Sequence, residues 1–520
     1  MRLSLISRRS LMVAALLLGT TALVACKTED TASADENRTI TVGVQRPPNS
    51  YDPLLSVWGG QYQMYLLPVY EPLIRQNTDG TYGPALAVEF GYSDEARREY
   101  TLTLREGVVF SDGTTPVTAD AVKQNLDRLL TVSGPQTREL SDSLAGVTAP
   151  DARTVVISLN QANPDLERII SQLSGMIVNP AALAEGSDLA TNPAGAGPYV
   201  LDAANTIVND TYVYTKNPHY YDPDAYPYAT ITMKVYGDQN AMLTALQSGV
   251  AQLGYGGPDN VEVARRAGLQ VAEQPTNVFH IVLHDRDGAL APALADQRVR
   301  QALNFAVDRE AILASVYRGE GALTTQIFGP NTEAYDAALN DLYPYDPDRA
   351  RALLRDAGYP DGFTFSVAMF FPQRDGDYAQ AIAAYLAEIG VTMQINSLAG
   401  TTSDPSIMRQ NGGFVNGFGG QGAFTDSKTL FLSPGTIFNA FGSVDPELNA
   451  LWEAAANQTS DAARQQGFRD LGRAVVEKAW FLPTTVVNAV AYYREDALSD
   501  VTFTPGVTVP LFYELRNKAE

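Results

Sequence analysis

Apolar and polar residues alternate along several short stretches of the chain, and each predicts a strand. The clearest are residues 39–44 (Thr-Ile-Thr-Val-Gly-Val), 100–104, 154–159, 212–214, 231–235, 279–283, 363–367 and 391–395. Between them the apolar period lengthens to that of helices. Thr118 is placed to cap a helix reaching about residue 130, with Val122, Leu126 and Leu129 on one face. Asp238 caps a second helix to Ser248, and Gly249 stops it. A helix is expected from Asp296 to about Tyr317, another from Asp346-Pro347 to Gly358, and another over 378–389 before Gly390. Strand, helix, strand with glycine stops is the grammar of an α/β fold. No internal repeat is visible.

At 520 residues, with 45% hydrophobic and 18% charged residues, the chain can build more than one core and is not a disordered polymer. Its net charge of −22 argues against a general nucleic-acid binder, because phosphate contacts need a basic face, and against docking on anionic lipid through the protein surface. A single cysteine, Cys26, excludes an internal disulfide and a thiolate metal site. The three histidines, His219, His280 and His284, leave little material for a zinc site or a serine-hydrolase relay.

The N-terminus reads as an address. Arg2, Arg8 and Arg9 precede an apolar stretch over 11–25, too short to span a bilayer, which takes ~20 residues, but suited to a signal peptide. Leu23-Val24-Ala25-Cys26 resembles the bacterial lipobox, which makes Cys26 the lipidated first residue of the mature chain. The run Ser7-Arg8-Arg9-Ser10-Leu11 also resembles a twin-arginine signal, with ordinary secretion as the alternative. Residues 26–38 are Thr-, Ser-, Ala- and acid-rich and read as a flexible tether.

A series of short motifs then follows in order: Ser50-Tyr51-Asp52-Pro53, Tyr70-Glu71-Pro72-Leu73, the run from Tyr100 through Arg105-Glu106-Gly107 to Asp112-Gly113-Thr114, Gly195-Ala196-Gly197-Pro198-Tyr199, Leu246-Gln247-Ser248-Gly249, Asp296-Gln297-Arg298-Val299-Arg300-Gln301-Ala302-Leu303 and Ala357-Gly358-Tyr359-Pro360-Asp361-Gly362-Phe363. Over nearly the whole mature chain this series resembles the extracytoplasmic solute-binding proteins of peptide/nickel-type ABC importers. Most of these residues are turn and scaffold chemistry.

The resemblance implies a bilobal, periplasmic-binding-protein-like α/β fold with a hinge. Its layout would be a signal peptide (1–25), a tether (26–38), a first lobe in three pieces (39–75, 191–267, 489–520), an extra subdomain on that lobe (76–190) and a second lobe (268–488). It implies a monomer without cofactor, metal or catalytic residues, anchored through Cys26 at the outer face of the cytoplasmic membrane or held in the periplasm. Such a protein would capture a peptide-like or other small organic solute between the lobes and deliver it to an ABC permease and its ATPase. Two alternatives stay open, an extracellular hydrolase on a bilobal scaffold and a sensor or chaperone of the same fold.

Candidate ligand residues follow from the same resemblance. In peptide-binding members a Gly-Trp-x-Ala-Asp stretch walls the cleft, and its aspartate holds the peptide ammonium. Here Gly417-Phe418-Gly419-Gly420-Gln421 keeps the aromatic but replaces the carboxylate by neutral Gln421. A buried ammonium wants a full opposite charge, so free-amine peptides are disfavoured unless Asp426 substitutes. The glycine-rich run 412–422 is thus expected to form a cleft loop; it lacks the Lys-Ser/Thr ending of a phosphate loop. Arg374, expected in a loop between a strand and a helix, is a candidate carboxylate receiver or a solvated partner of Asp375 or Asp377. Trp58, Tyr51 and Tyr255 either face the ligand or belong to the core. The tyrosines between 212 and 228 read more readily as cladding of a hairpin than as a sugar platform. His280 and His284, on one strand, would lie ~13 Å apart at ~3.3 Å per residue, too far to share a metal ion.

Overall fold

In the computed structural model the description covers residues 38–517, apart from 58–59, 135–136 and 402–403. Cys26, the signal segment, the tether up to residue 37 and Trp58 lie outside the described residues. The framework is an 11-stranded mixed sheet. Its order is Thr392–Ser397, Thr364–Met369, Gly413–Gly419, Gln270–Leu283, Phe481–Tyr493, Leu253–Gly256, Thr39–Val44, Thr230–Val235, Thr211–Lys216 and Tyr199–Leu201, with Ala322–Leu323 added against Phe481–Tyr493.

Two strands are much longer than the rest, Gln270–Leu283 with 14 residues and Phe481–Tyr493 with 13. They run antiparallel and join two lobes. Toward one end Tyr493 to Val490 pair with Leu253–Gly256 of the first lobe; toward the other, Asn277 to Leu283 pair with Gly413–Gly419 of the second. The register between them slips at Pro275/Asn277, where proline has no N–H to give the ladder. Each lobe has its own core. In the first, Ile40, Val42 and Val44 pack with Tyr51, Tyr65, Tyr214 and Ile231, and the chain's last segment returns to the same core through Val501, Val509 and Phe512. In the second, separate clusters fill the two faces of the sheet, one around Val299, Leu303, Tyr378 and Ile382, the other around Phe328, Phe424, Phe431 and Trp452. A subdomain carries a third kind of core, on a four-stranded antiparallel sheet ordered Ala87–Tyr92, Glu99–Leu104, Thr154–Leu159, Leu144–Thr148. Its alternation is regular: Tyr100, Leu102 and Leu104 point inward beneath the helix Ala119–Asp127.

Local capping accounts for several helix starts. Thr118, Asp238 and Asp346 each accept backbone N–H groups of the following turn. Three expectations need correction. The helix expected from Asp296 to Tyr317 is two helices, Gln297–Phe305 and Arg309–Val316, because Asp308 leaves helical geometry and caps the second. The helix expected from Tyr378 begins at Pro372, whose fixed φ suits a first turn, so Arg374 stands in that turn and not in a loop. Most of the glycine-rich run is not a loop: Gly413–Gly419 is a strand between Gln270–Leu283 and Thr364–Met369. Its glycines answer close approaches. A Cβ on Gly413 would stand 2.4 Å from the Val282 carbonyl oxygen, and one on Gly417 2.9 Å from the Phe279 ring.

Candidate functional site

The strand Gly413–Gly419 ends at the face where the second lobe meets the subdomain. There the chain turns through Gly420, Gln421 and Gly422 into the short helix Ala423–Ser427. Asp426 holds this turn from within: its Oδ2 accepts the backbone N–H groups of Gln421 (3.0 Å) and Gly422 (3.3 Å). Phe418 meets Phe438 edge-on, with ring centres 5.6 Å apart. Phe424 stacks on Trp452 at 4.7 Å, and the Trp452 indole N–H donates to the Phe424 carbonyl. Lys428 extends over that pair, its Nζ 5.2 Å from both ring centres.

The subdomain supplies the facing wall. Arg168, on the helix Leu166–Ile170, is only 5% exposed. Its Nη1 donates to Gln421 Oε1 (2.9 Å), Gln172 Oε1 (3.1 Å) and Glu139 Oε2 (3.3 Å). Its Nη2 donates to Thr425 Oγ1 (3.4 Å) and lies 3.7 Å from Asp165 Oδ2. Asp165 in turn accepts the Thr425 N–H at 2.9 Å, so both ends of the contact cross between lobes. The approach is tight: a Cβ on Gly422 would stand 2.3 Å from Asp165 Oδ1. Farther along the same face, Arg97 donates to the Thr459 carbonyl oxygen at 2.9 Å and pairs with Asp461 at 3.4 Å.

Beside this contact lies a partly open cavity of about 380 Å³, lined by both lobes. Phe418, Phe424, Ile437 and Phe438 form its apolar side; Gln421, Thr425, Asp426 and Lys428 from the second lobe face Arg138, Glu139 and Asp142 from the subdomain. Charge is concentrated around it. Burial disfavours the Arg168 cation, but Glu139, Asp165 and Asp426 outweigh that and hold it charged. Burial pushes the Glu139 carboxyl above its ordinary range against the pull of Arg168, and burial and Asp165 push Asp426 up. Glu333, near the same contact, is raised to about 7 by burial and then by Asp165, with Arg464 and Arg168 opposing.

The structure thus brings Phe418, Gln421 and Asp426 to one cavity. Gly419 lies on the strand leading to it, in register with Asn277. The other described candidates stand elsewhere. Arg374 grips its neighbour Asp375 through Nε (2.5 Å) and Nη2 (2.9 Å), with its guanidinium 4.7 Å from the Phe371 ring centre, and it is not part of the cavity wall. Tyr51 is buried in the first-lobe core, its hydroxyl bonded to that of Tyr214. Tyr255 is on the strand Leu253–Gly256, its hydroxyl pushed up to about 12 by burial and bonded to Thr508. Tyr220, Tyr221 and Tyr226 cluster on the Glu71–Arg75 pair within the first lobe. His280 and His284 are buried; the first donates through Nδ1 to the Val278 carbonyl, the second through Nε2 to those of Asn411 and Met408. Among the described residues no group of three or more His, Cys, Asp or Glu is placed to hold a metal ion. Arg168, Glu139, Arg138 and Lys428 carried no signal in the sequence, since the partners of Arg168 in the second lobe lie more than 250 residues away.

Two lobes joined by paired long strands, with a cavity between them, define a binding-protein architecture. The family description "Bacterial extracellular solute-binding proteins, family 5 Middle" matches residues 81–436, and the chain belongs to this family. A glutathione-binding protein, GsiB of Escherichia coli O1:K1, is 29% identical over 321 residues, which is 60% of this chain and 60% of that relative's length. Among solved structures, NikA from Brucella suis, in complex with Fe(III)-EDTA, superposes with a TM-score of 0.78 at 25% identity, covering 93% of this chain and 100% of that one. DppA from Helicobacter pylori, in complex with the peptide STSA, gives 0.77 at 20% identity over 93% and 99% of the two chains. Among the described residues no helix is long and apolar enough to cross a membrane.

Proposed function

We propose that the protein is the solute-binding component of an ABC importer, lipid-anchored at Cys26, which captures a peptide-like or other small organic solute and hands it to the permease and its ATPase. The observation that carries this reading is the cavity walled by both lobes. Its volume of about 380 Å³ suits a small organic molecule, and its lining sets the rings of Phe418, Phe424 and Phe438 against many polar and charged side chains that can orient one. The similarity to a glutathione-binding relative makes a peptide-like solute the first expectation. Mass spectrometry of the solute released when gently purified protein is denatured tests it. A recurrent small molecule that rebinds the emptied protein is expected; a protein that neither releases nor binds any solute is not an importer component.

The anchor is separately testable. Cys26→Ser is expected to abolish metabolic labelling with palmitate and to leave the protein soluble or as an uncleaved precursor. Undiminished labelling of the variant would remove the lipid from the account.

A further inference from the structure

The solute-binding reading leaves the chemistry of the solute open, and the hydrogen-bond inventory of the cavity narrows it. A guanidinium only donates. Because Arg168 Nη1 lies 2.9 Å from the Gln421 side chain, that amide must turn its oxygen toward Arg168. Its –NH2 is left to the other side, where it meets no acceptor among the described residues. Gln421 is thereby fixed as a donor in the cavity wall.

Two cations line the same space, one from each side: Lys428 on its aromatic ledge and Arg138 on the helix Arg138–Ser141. Neither has a carboxylate within 4 Å among the described residues, although the chain carries 59 Asp and Glu against 37 Lys and Arg. The neighbouring Arg168 and Arg97 are both paired. The carboxylates of the cavity are engaged elsewhere: Asp426 caps the backbone turn, and Glu139 holds Arg168. Asp142, on the rim, is the remaining one. Of the lining side chains not already engaged within the interlobe contact, Arg138 and Lys428 are basic and only Asp142 is acidic, which suits an anionic carboxylate. The apolar rings opposite suit an uncharged body.

We propose that Gln421, Lys428 and Arg138 form the receptor for the carboxylate of an amine-blocked, peptide-like acid. This rests on the solute-binding reading, and the test separates the two.

The full chain is titrated calorimetrically with N-acetylated di- and tripeptides of apolar residues, each as free acid and as C-terminal amide, and the released solute is identified in parallel. The acids are expected to bind at least about tenfold more tightly than the amides. Lys428→Met, checked for an unchanged melting temperature, is expected to bring that ratio close to one, the acids losing at least about tenfold more affinity than the amides; Arg138→Gln, on the exposed rim, lowers the ratio less. If no peptide of the panel binds, a released solute that carries a carboxylate and no free ammonium, and whose affinity falls in Lys428→Met, supports the proposal. Equal binding of acids and amides, an unchanged ratio in Lys428→Met, or a released solute that lacks a carboxylate or carries a free ammonium overturns it and leaves solute binding standing. Absence of any released solute together with silence across the panel overturns both.

Discussion

At the residue scale, Arg168 serves Glu139 and Asp165 of its own subdomain and Gln421 and Thr425 of the opposite lobe. Removing it would leave Glu139, Asp165 and Asp426 facing one another in a site shielded from water. Losing one partner of a buried ion pair typically costs about 3–5 kcal/mol, because the remaining charge is stranded. Arg168→Met is therefore expected to lose stability of that order at pH 7.5, measured by chemical denaturation. Glu139 and Asp426 already lie above the ordinary carboxyl range. A carboxyl with a raised folded pKa binds its proton more readily folded than unfolded, so ionisation destabilises and acidification relieves it. The deficit relative to wild type should thus shrink at pH 5, and an equal deficit at both values would mean that carboxylate repulsion is not its cause.

The same residue revises what Gln421→Asp would do. The new carboxylate would stand beside Arg168 and pair with it, so it is not expected to create an ammonium site. The buried histidines act in the opposite sense to the carboxyls. Burial depresses His280 and His284 to about 4, below the usual 6.5, so their contribution is complete above pH 6.5 and is lost as the pH falls toward 4. Neither ring is expected to titrate above pH 5 by NMR. A ring titrating near 6.5 would place it in contact with water.

At the scale of elements, Gly422 marks where the helix Ala423–Ser427 of one lobe comes against Asp165 of the other. Its backbone is extended, with φ −173°, so any residue fits the chain itself; what excludes a side chain is Asp165 across the interface. Gly422→Ala is expected to weaken solute binding about tenfold or more by holding the lobes apart, while the melting temperature of the solute-free protein stays near wild type. A variant that binds normally would show that the contact yields. The caps at Thr118, Asp238 and Asp346 were legible in the sequence because they act within one turn. The break at Asp308 was hidden because apolar residues continue through Ala306 and Val307. Gly413–Gly419 was hidden for a different reason: its glycines are required by Phe279 and the Val282 carbonyl, so a paired central strand carries few of the β-branched residues that announce one. Phe418 was singled out through resemblance and lines the cavity, whereas the wall facing it depends on contacts between distant segments that no local pattern encodes.

At the scale of the whole molecule, the strands Gln270–Leu283 and Phe481–Tyr493 are the paired connection between lobes, and their ladder is interrupted at Pro275. Across from that connection the closed arrangement is held by polar contacts, Arg97 with Asp461 and Thr459, and Arg168 and Asp165 with Gln421 and Thr425. An exposed ion pair of this kind contributes about 0–1 kcal/mol, and hydrogen bonds between lobes only somewhat more, so these contacts are weak enough to exchange for water. On the proposed function, solute filling the cavity would add what they lack, and the interrupted connection would let the lobes swing as bodies. Saturating solute is therefore expected to reduce the radius of gyration in solution scattering. It should also stabilise the protein by about 2.7 kcal/mol at a free concentration one hundred times the dissociation constant. Gly422→Ala at saturation should gain comparable stability at its own, higher dissociation constant while keeping a more open scattering profile, since the side chain obstructs closure and not the cavity. Coincident wild-type profiles with and without a solute proven to bind would mean that the lobes do not swing, and that the contacts made by Arg97 and Arg168 are permanent parts of the fold.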